Sequence, residues 1–392
     1  MSGYIHTLIS RIGRIGTGGR NDAPGSLPPH NLALRFVIAL PIALGFATSP
    51  PILAATFDMP PAGTTIVGQI HRVTPGEDNT LLDIARHYDL GYHEITWANP
   101  SVDPWVPDAD TPITIPTQFI LPPPPWRGIV VNIPQRRLYY FFSAPEGTPK
   151  VITLPISIAR EGWSTPLGHT TVIAKYKDPA WFVPTSIRAE QISAGEIDFP
   201  TYFPPGPDNP MGMLAIRIGF DGIFIHGTNR PWGVGMRTSH GCLHLYPEDA
   251  LTLFPLMKAG IPVRVINSPF MVGVDSGRLL VTHYPAVAEY PSTSDPFTQA
   301  VMALEPYLVP GIAPEDTRIS EPFDIDWDRL QNIIDANVVV PTPVNLGTPV
   351  PDQLLRAVEV RPYAQQPYGR DANNAVPPVR PGTDPRPSGH DP

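Results

Sequence analysis

Cys242 is the only cysteine in the 392-residue chain, and histidines surround it. It sits in the run Ser239-His240-Gly241-Cys242-Leu243-His244, with His226 upstream. A lone cysteine closes no intrachain disulfide, so its use is sought in its chemistry. The thiolate is the strong nucleophile, and a nearby imidazole is the usual means of producing one near neutral pH. The pattern therefore reads first as a cysteine-nucleophile enzyme. Two other readings use the same residues. A buried lone cysteine often serves as an inert small hydrophobe. His240, Cys242 and His244 also alternate, so on a strand all three would face one side. With His226 they would then make a four-ligand zinc set.

The elements that must hold these residues read as mainly β. Apolar runs at 129–133 and 138–142 flank Pro134-Gln135-Arg136-Arg137, a hairpin signature. Further strand-like runs cover 151–158, 170–176, 214–218 and 222–225, the last entering His226 directly. One helix follows Cys242. Pro247 suits its first position, Glu248 and Asp249 fill its first turn, and Gly260 with Pro262 ends it. Residues 263–266 return as a strand. Together 128–268 make a mainly β domain with a short helix after the cysteine.

A small α+β unit precedes it at 64–121. Residues 72–76 read as a strand entering a turn, and Thr80 with Asp83 has capping-box spacing. Leu81, Ile84, Ala85 and Tyr88 share one helix face. A second short helix over 92–98 and a closing strand at 113–115 complete a βααβ order. The proline run 122–125 marks a linker over 122–127. Beyond the β domain, 269–340 reads as a partly ordered extension, with a strand at 278–282 and helices at 296–308 and 327–336. Residues 341–392 are rich in Pro, Gly, Asn, Asp and Arg, and read as a disordered tail.

Proline, at 54 residues, is about 14% of the chain, against roughly 5% in typical proteins. Its clusters supply the linker and tail assignments. The formal net charge of −9 argues against nucleic-acid binding, which calls for a basic stripe. No apolar run reaches the roughly 18 residues of a membrane span. At the N-terminus, Arg11, Arg14, Arg20 and Arg35 precede an apolar stretch at 36–47, followed by Ala54 and Ala55. These are the parts of a secretory signal, assigned to 1–55, with an uncleaved anchor as the alternative. An exported protein with one cysteine keeps a free thiol for a purpose or pairs between chains. The local histidines favour a purpose.

Two family resemblances rest on these residues. Segment 64–121 resembles the LysM domain in Val73-Thr74-Pro75-Gly76-Glu77, Thr80-Leu81, Ile84-Ala85, Tyr88, Trp97-Ala98-Asn99-Pro100 and Ile115-Pro116. It departs in the loop 102–111, which is long and lacks the glycine usual before the last strand. The resemblance implies a peptidoglycan-binding module. Residues 129–266 resemble the L,D-transpeptidase (YkuD-type) catalytic domain. The carriers are Arg160 with Gly162, Thr165-Pro166-Leu167-Gly168, Pro204-Pro205-Gly206, Asn209-Pro210-Met211-Gly212, Ile225-His226-Gly227-Thr228 and Arg237-Thr238-Ser239-His240-Gly241-Cys242, in family order.

This second resemblance implies a YkuD-type β-sandwich, no cofactor and no bound metal. It implies that Cys242 attacks a peptide stem at the bond between its third, diamino residue and a terminal D-alanine. D-alanine leaves, an acyl-enzyme forms, and an amine of another stem takes the acyl group. His226 is the implied general base and later acid, with the Gly227 carbonyl orienting its ring. Backbone N–H groups of His240, Gly241 and Cys242 are the implied oxyanion donors, with Ser239 and His240 in support. Arg237, Thr228 and His244 are the implied substrate-binding residues. His244 stands where the family usually has Arg or Asn. The implied partners are peptidoglycan stems and glycan in the periplasm, with an outer-membrane lipoprotein as an alternative acceptor. No nucleic acid and no membrane span after signal cleavage are expected. Water as acceptor would make the enzyme an L,D-carboxypeptidase, and a dead fold would leave a peptidoglycan-binding protein.

Overall fold

A computed structural model describes residues 55–308, 323–349 and 351–363. The signal assigned to 1–55 lies outside the described residues except for Ala55. The central sheet is built from Ala55–Asp58 (β1), Gly128–Asn132 (β2), Arg137–Ser143 (β3), Pro149–Pro155 (β4), Gly168–Lys177 (β5), Leu214–Ile218 (β6), Phe224–His226 (β7), Leu243–His244 (β8) and Pro262–Ile266 (β9). They pair in the order β1-β4-β3-β2-β9-β5-β6-β7-β8.

The long apolar runs of β2, β3 and β4 are explained by burial on both faces. Ile129, Val131, Leu138, Tyr140, Ile152 and Leu154 join one core. The alternate residues Val130, Tyr139, Phe141 and Val151 join another. Inward residues of both halves share one core, and β5 hydrogen-bonds the two halves into one run of strands. Its first four residues pair with β9, and its later ones with β6 across a register shift between Val172 and Ala174. A ten-residue strand is long enough to serve both halves.

The region before the sheet contains His71–Thr74, helix α1 (Leu81–His87), helix α2 (Tyr92–Ala98) and Ile113–Ile115, the two strands pairing antiparallel. The Thr80 hydroxyl accepts from Asp83 N–H at 3.2 Å, and Asp83 Oδ2 accepts from Thr80 N–H at 2.9 Å. Both halves of the capping box are thus made.

The expected separation of this unit by a linker is corrected. Leu81, Ile84, Ile95, Ile113 and Ile115 share one core with Val130, Tyr139 and Phe141 of the sheet. Gly91 and Gly235 cross so closely that a Cβ on Gly91 would lie 2.6 Å from Gly235 Cα. The proline run is tied down: Trp126 Nε1 donates to Pro122 O at 2.7 Å, and Arg264 donates to the carbonyls of Pro123 and Pro124. Local composition marked a linker, but these carbonyls bond to the sheet.

The extension holds a hairpin, Phe270–Asp275 with Arg278–His283, packed on helices Pro296–Leu308 and Trp327–Asp335. The disordered-tail assignment is corrected over its first part. Thr342–Pro343 pairs with this hairpin, and Val360–Pro362 pairs in parallel with His71–Thr74. The apolar side chain of Tyr363 then fills the core beside α1. Residues 364–392 lie outside the described residues.

One buried cluster joins the region before the sheet to helix α4 (Pro247–Leu256). Asp89 and Asp249 are buried, and Asp89 Oδ1 and Asp249 Oδ2 each lack a donor. The two side chains are hydrogen-bonding neighbours, so one shared proton would satisfy both oxygens. Burial pushes both carboxyls up, Asp89 to about 6, and at Asp249 the charge and hydrogen bond of Asp89 add to the rise. A raised carboxyl adds stability below the ordinary carboxylate range and loses it as pH rises through the raised value. Buried His226 and half-buried His244 act oppositely, since their lowered values cost stability as pH falls through the ordinary histidine range. The readout is therefore a difference. Asp249→Asn is expected to raise Tm relative to wild type more at pH 8 than at pH 5. An equal shift at both pH values would show that no proton is shared.

Candidate active site

The site forms at the edge of the sheet where β7 and β8 pair in parallel. That pairing sets His226 opposite His244, with ring centroids 4.6 Å apart. Cys242 immediately precedes β8, so the thiol comes to the same edge. Gly241 makes the approach possible. Its φ is +120°, and a Cβ there would meet Ile223 Cδ1 at 2.9 Å and Ser164 O at 3.0 Å. Only glycine fits such a position without strain.

The loop is pinned from both sides. Ser239 Oγ donates to Cys242 O at 2.5 Å and accepts from Gly241 N–H at 3.2 Å. Thr165 Oγ1 donates to Gly241 O at 2.7 Å. Gly241 N–H is thereby occupied, which corrects its expected role as an oxyanion donor. The N–H groups of His240 and Cys242 make no hydrogen bond to a described residue, and they remain available to a ligand.

His226 Nδ1 lies 2.6 Å from Gly227 O. A carbonyl only accepts, so Nδ1 carries the hydrogen and Nε2 keeps its lone pair. Burial pushes the imidazole down to about 4, against the opposing Gly227 and Met211 carbonyls. Burial also pushes the Cys242 thiol up to about 11, against a backbone bond at Phe224. The sulfur donates to Gly222 O at 3.6 Å and not to an imidazole. The resting pair is therefore neutral thiol and neutral imidazole. His244 is held well below the usual histidine range by burial, then by the nearby His226 and His240.

The zinc alternative required alternation along 240–244. The strand is only Leu243–His244, and Gly241 turns the chain before it. His240 is thus directed elsewhere: its Nε2 lies 2.7 Å from Arg160 Nη2 and 3.1 Å from Glu190 Oε2. Among the described residues no three His, Cys, Asp or Glu side chains gather as metal ligands.

One substrate-binding expectation changes. Arg237 Nη2 pairs with Glu289 Oε2 at 2.6 Å, and its Nε donates to Ala159 O at 3.1 Å. Its charge is already met, so it is no free carboxylate binder. Thr228 is buried and its Oγ1 accepts from Arg230 N–H at 2.9 Å, closing a turn. Glu289 and Glu190 were not foreseen. Both come from distant segments without a local motif, and only the tertiary fold brings them to the site.

Residues 127–265 match the YkuD family, the L,D-transpeptidase catalytic domain. The probable L,D-transpeptidase YcfS of Escherichia coli (strain K12) is 39% identical over 258 residues, covering 64% of this chain and 79% of that protein. The probable L,D-transpeptidase YbiS of the same strain is 39% identical over 261 residues, covering 65% and 83%. The probable L,D-transpeptidase ErfK/SrfK of Salmonella typhimurium (strain LT2) is 34% identical over 305 residues, covering 76% and 93%. Similarity of that extent makes this chain a member of the L,D-transpeptidase family.

Proposed function

We propose that the protein cross-links peptidoglycan stems outside the cytoplasm, with Cys242 as nucleophile and His226 as base and acid. The observation that carries the reading is the parallel β7–β8 pair. It delivers the thiol to the edge that holds an imidazole with a fixed tautomer.

Sγ attacks the carbonyl carbon of the third stem residue while its proton passes to His226 Nε2. The C–S bond forms, and the N–H groups of Cys242 and His240 meet the oxyanion. The C–N bond then breaks, and Nε2 returns the proton to the departing amine of D-alanine. An acceptor amine attacks the thioester and gives its proton to His226. The C–S bond breaks and the thiol is restored. His244 sits beside the base, with the two ring centroids 4.6 Å apart. The segment 64–121 binds glycan as a LysM-like module, with exposed Trp105 suited to stack on a sugar ring. An amine of another stem is the acceptor, and an outer-membrane lipoprotein is the second candidate.

Intact-mass spectrometry with a carbapenem, a trapped acyl donor, is expected to give one adduct that maps to Cys242. With a tetrapeptide stem and a stem acceptor, released D-alanine should equal new cross-linked dimer. D-alanine release with tripeptide and no dimer would make water the acceptor. No adduct at all would overturn the nucleophile assignment.

A further inference from the structure

We propose that Arg160 and His240 form the subsite for the donor's terminal carboxylate, and that Glu190 fills that subsite when no donor is bound. Arg160 Nη2 contacts Glu190 Oε1, and His240 Nε2 lies 3.1 Å from Glu190 Oε2. The carboxylate thus meets a guanidinium and an imidazole at once, as a ligand carboxylate would. The edge of Trp163 walls the other side, with its ring centroid 4.7 Å from that of His240.

The guanidinium and the imidazole are held in place and the carboxylate is not. Arg160 follows Ile158–Ala159, which pairs in parallel with Arg237–Ser239, and Arg160 N–H donates to Ser239 O at 2.9 Å. That bond holds Arg160 against the loop of Cys242, two residues beyond His240. Glu190 instead lies on helix α3 (Thr185–Ser193), of which Ile187 is the one buried residue. The segment is anchored by two-residue strands, Trp181–Phe182 and Tyr202–Phe203. Phe182 and Ile197 on it are 76% and 74% exposed. An excursion with so little buried surface opens at low cost compared with the sheet.

Arg237 is already paired with Glu289, which is 14% exposed. Arg160 is matched only by a carboxylate that can leave. The donor arrives with a terminal carboxylate on its D-alanine and exchanges it for that of Glu190. The chemistry required of the ligand is a free carboxylate one residue beyond the attacked carbonyl.

This inference rests on Cys242 being the acylated residue, and the test separates the two. The acylation rate of the whole protein is followed by intact mass, with a tetrapeptide stem and with the same stem as its C-terminal amide. Wild type is expected to be acylated with a lower KM by the acid than by the amide. Glu190→Gln should lower the KM for the acid several-fold and leave the amide unchanged. Arg160→Gln should raise the KM for the acid toward that of the amide. Equal shifts for acid and amide in Glu190→Gln, or no acid preference in wild type, would overturn the subsite while leaving Cys242 in place. Failure of wild type to be acylated by either stem would overturn the nucleophile, and the subsite with it.

Discussion

Cys242→Ala is expected to abolish acyl transfer, with a loss of at least about 10³-fold in donor turnover, since a nucleophile acts as a unit with its base. His226→Ala keeps the thiol but is expected to slow acylation by about 10²- to 10⁴-fold, the usual contribution of a positioned base. The pH behaviour separates a base from a thiolate partner. With the imidazole down to about 4 and the thiol up to about 11, both are neutral across the range between. The base is then competent at any pH above about 4, so acylation should lose no rate between pH 7 and pH 5. Iodoacetamide, which needs the thiolate, should react about tenfold faster per pH unit from pH 7 to pH 10, because the thiolate fraction grows tenfold per unit below its pKa. A plateau in alkylation from pH 6 upward would reveal a preformed thiolate–imidazolium pair and overturn the neutral resting state.

Glu94→Ala is expected to destabilise the protein by about 3–5 kcal/mol, the cost of leaving a buried charge without its partner. The stranded charge is Arg137, which is fully buried on β3. Its Nε and Nη2 grip Glu94 at 2.6 and 2.9 Å, Nη2 also donates to Asp89 O, and Nη1 donates to Thr153 Oγ1. The Phe119 ring lies beneath the guanidinium at 4.1 Å. Glu94 Oε2 accepts from Gly91 N–H at 2.8 Å as well, so the same carboxylate caps α2. The double variant Arg137→Met with Glu94→Leu should recover most of the loss, since replacing a buried pair by apolar groups is often neutral. Urea unfolding of all three proteins measures this. One cooperative transition is expected in each, because the region before the sheet and the sheet share a core. Two transitions in wild type would show that 64–121 folds independently.

Local signals located most elements. The capping box at Thr80 and Asp83 starts α1 as its spacing requires, and Pro247 opens α4. Apolar runs located the hairpin of β2 and β3 because burial on both faces demands such runs. Helix α3 was not foreseen. It carries no apolar face to announce it, having only Ile187 buried. The proline run looked like a linker because its prolines are legible in sequence, whereas the Arg264 and Trp126 that bind its carbonyls are not.

The sequence by itself determined the chemistry on offer: one thiol, the imidazole of His226, and a glycine where the chain must turn beneath the thiol. These are properties of residue type and short spacing, and they need no fold to be read. Only the tertiary structure decided which charges are free. Arg237 looked like a substrate binder until Glu289 met it, and Arg160 acquired meaning only when Glu190 and His240 converged on it. The physical reason is that a charge is defined by its partner, and these partners lie 30 to 80 residues away in the chain. No local pattern encodes such a distance, and only the folded sheet closes it.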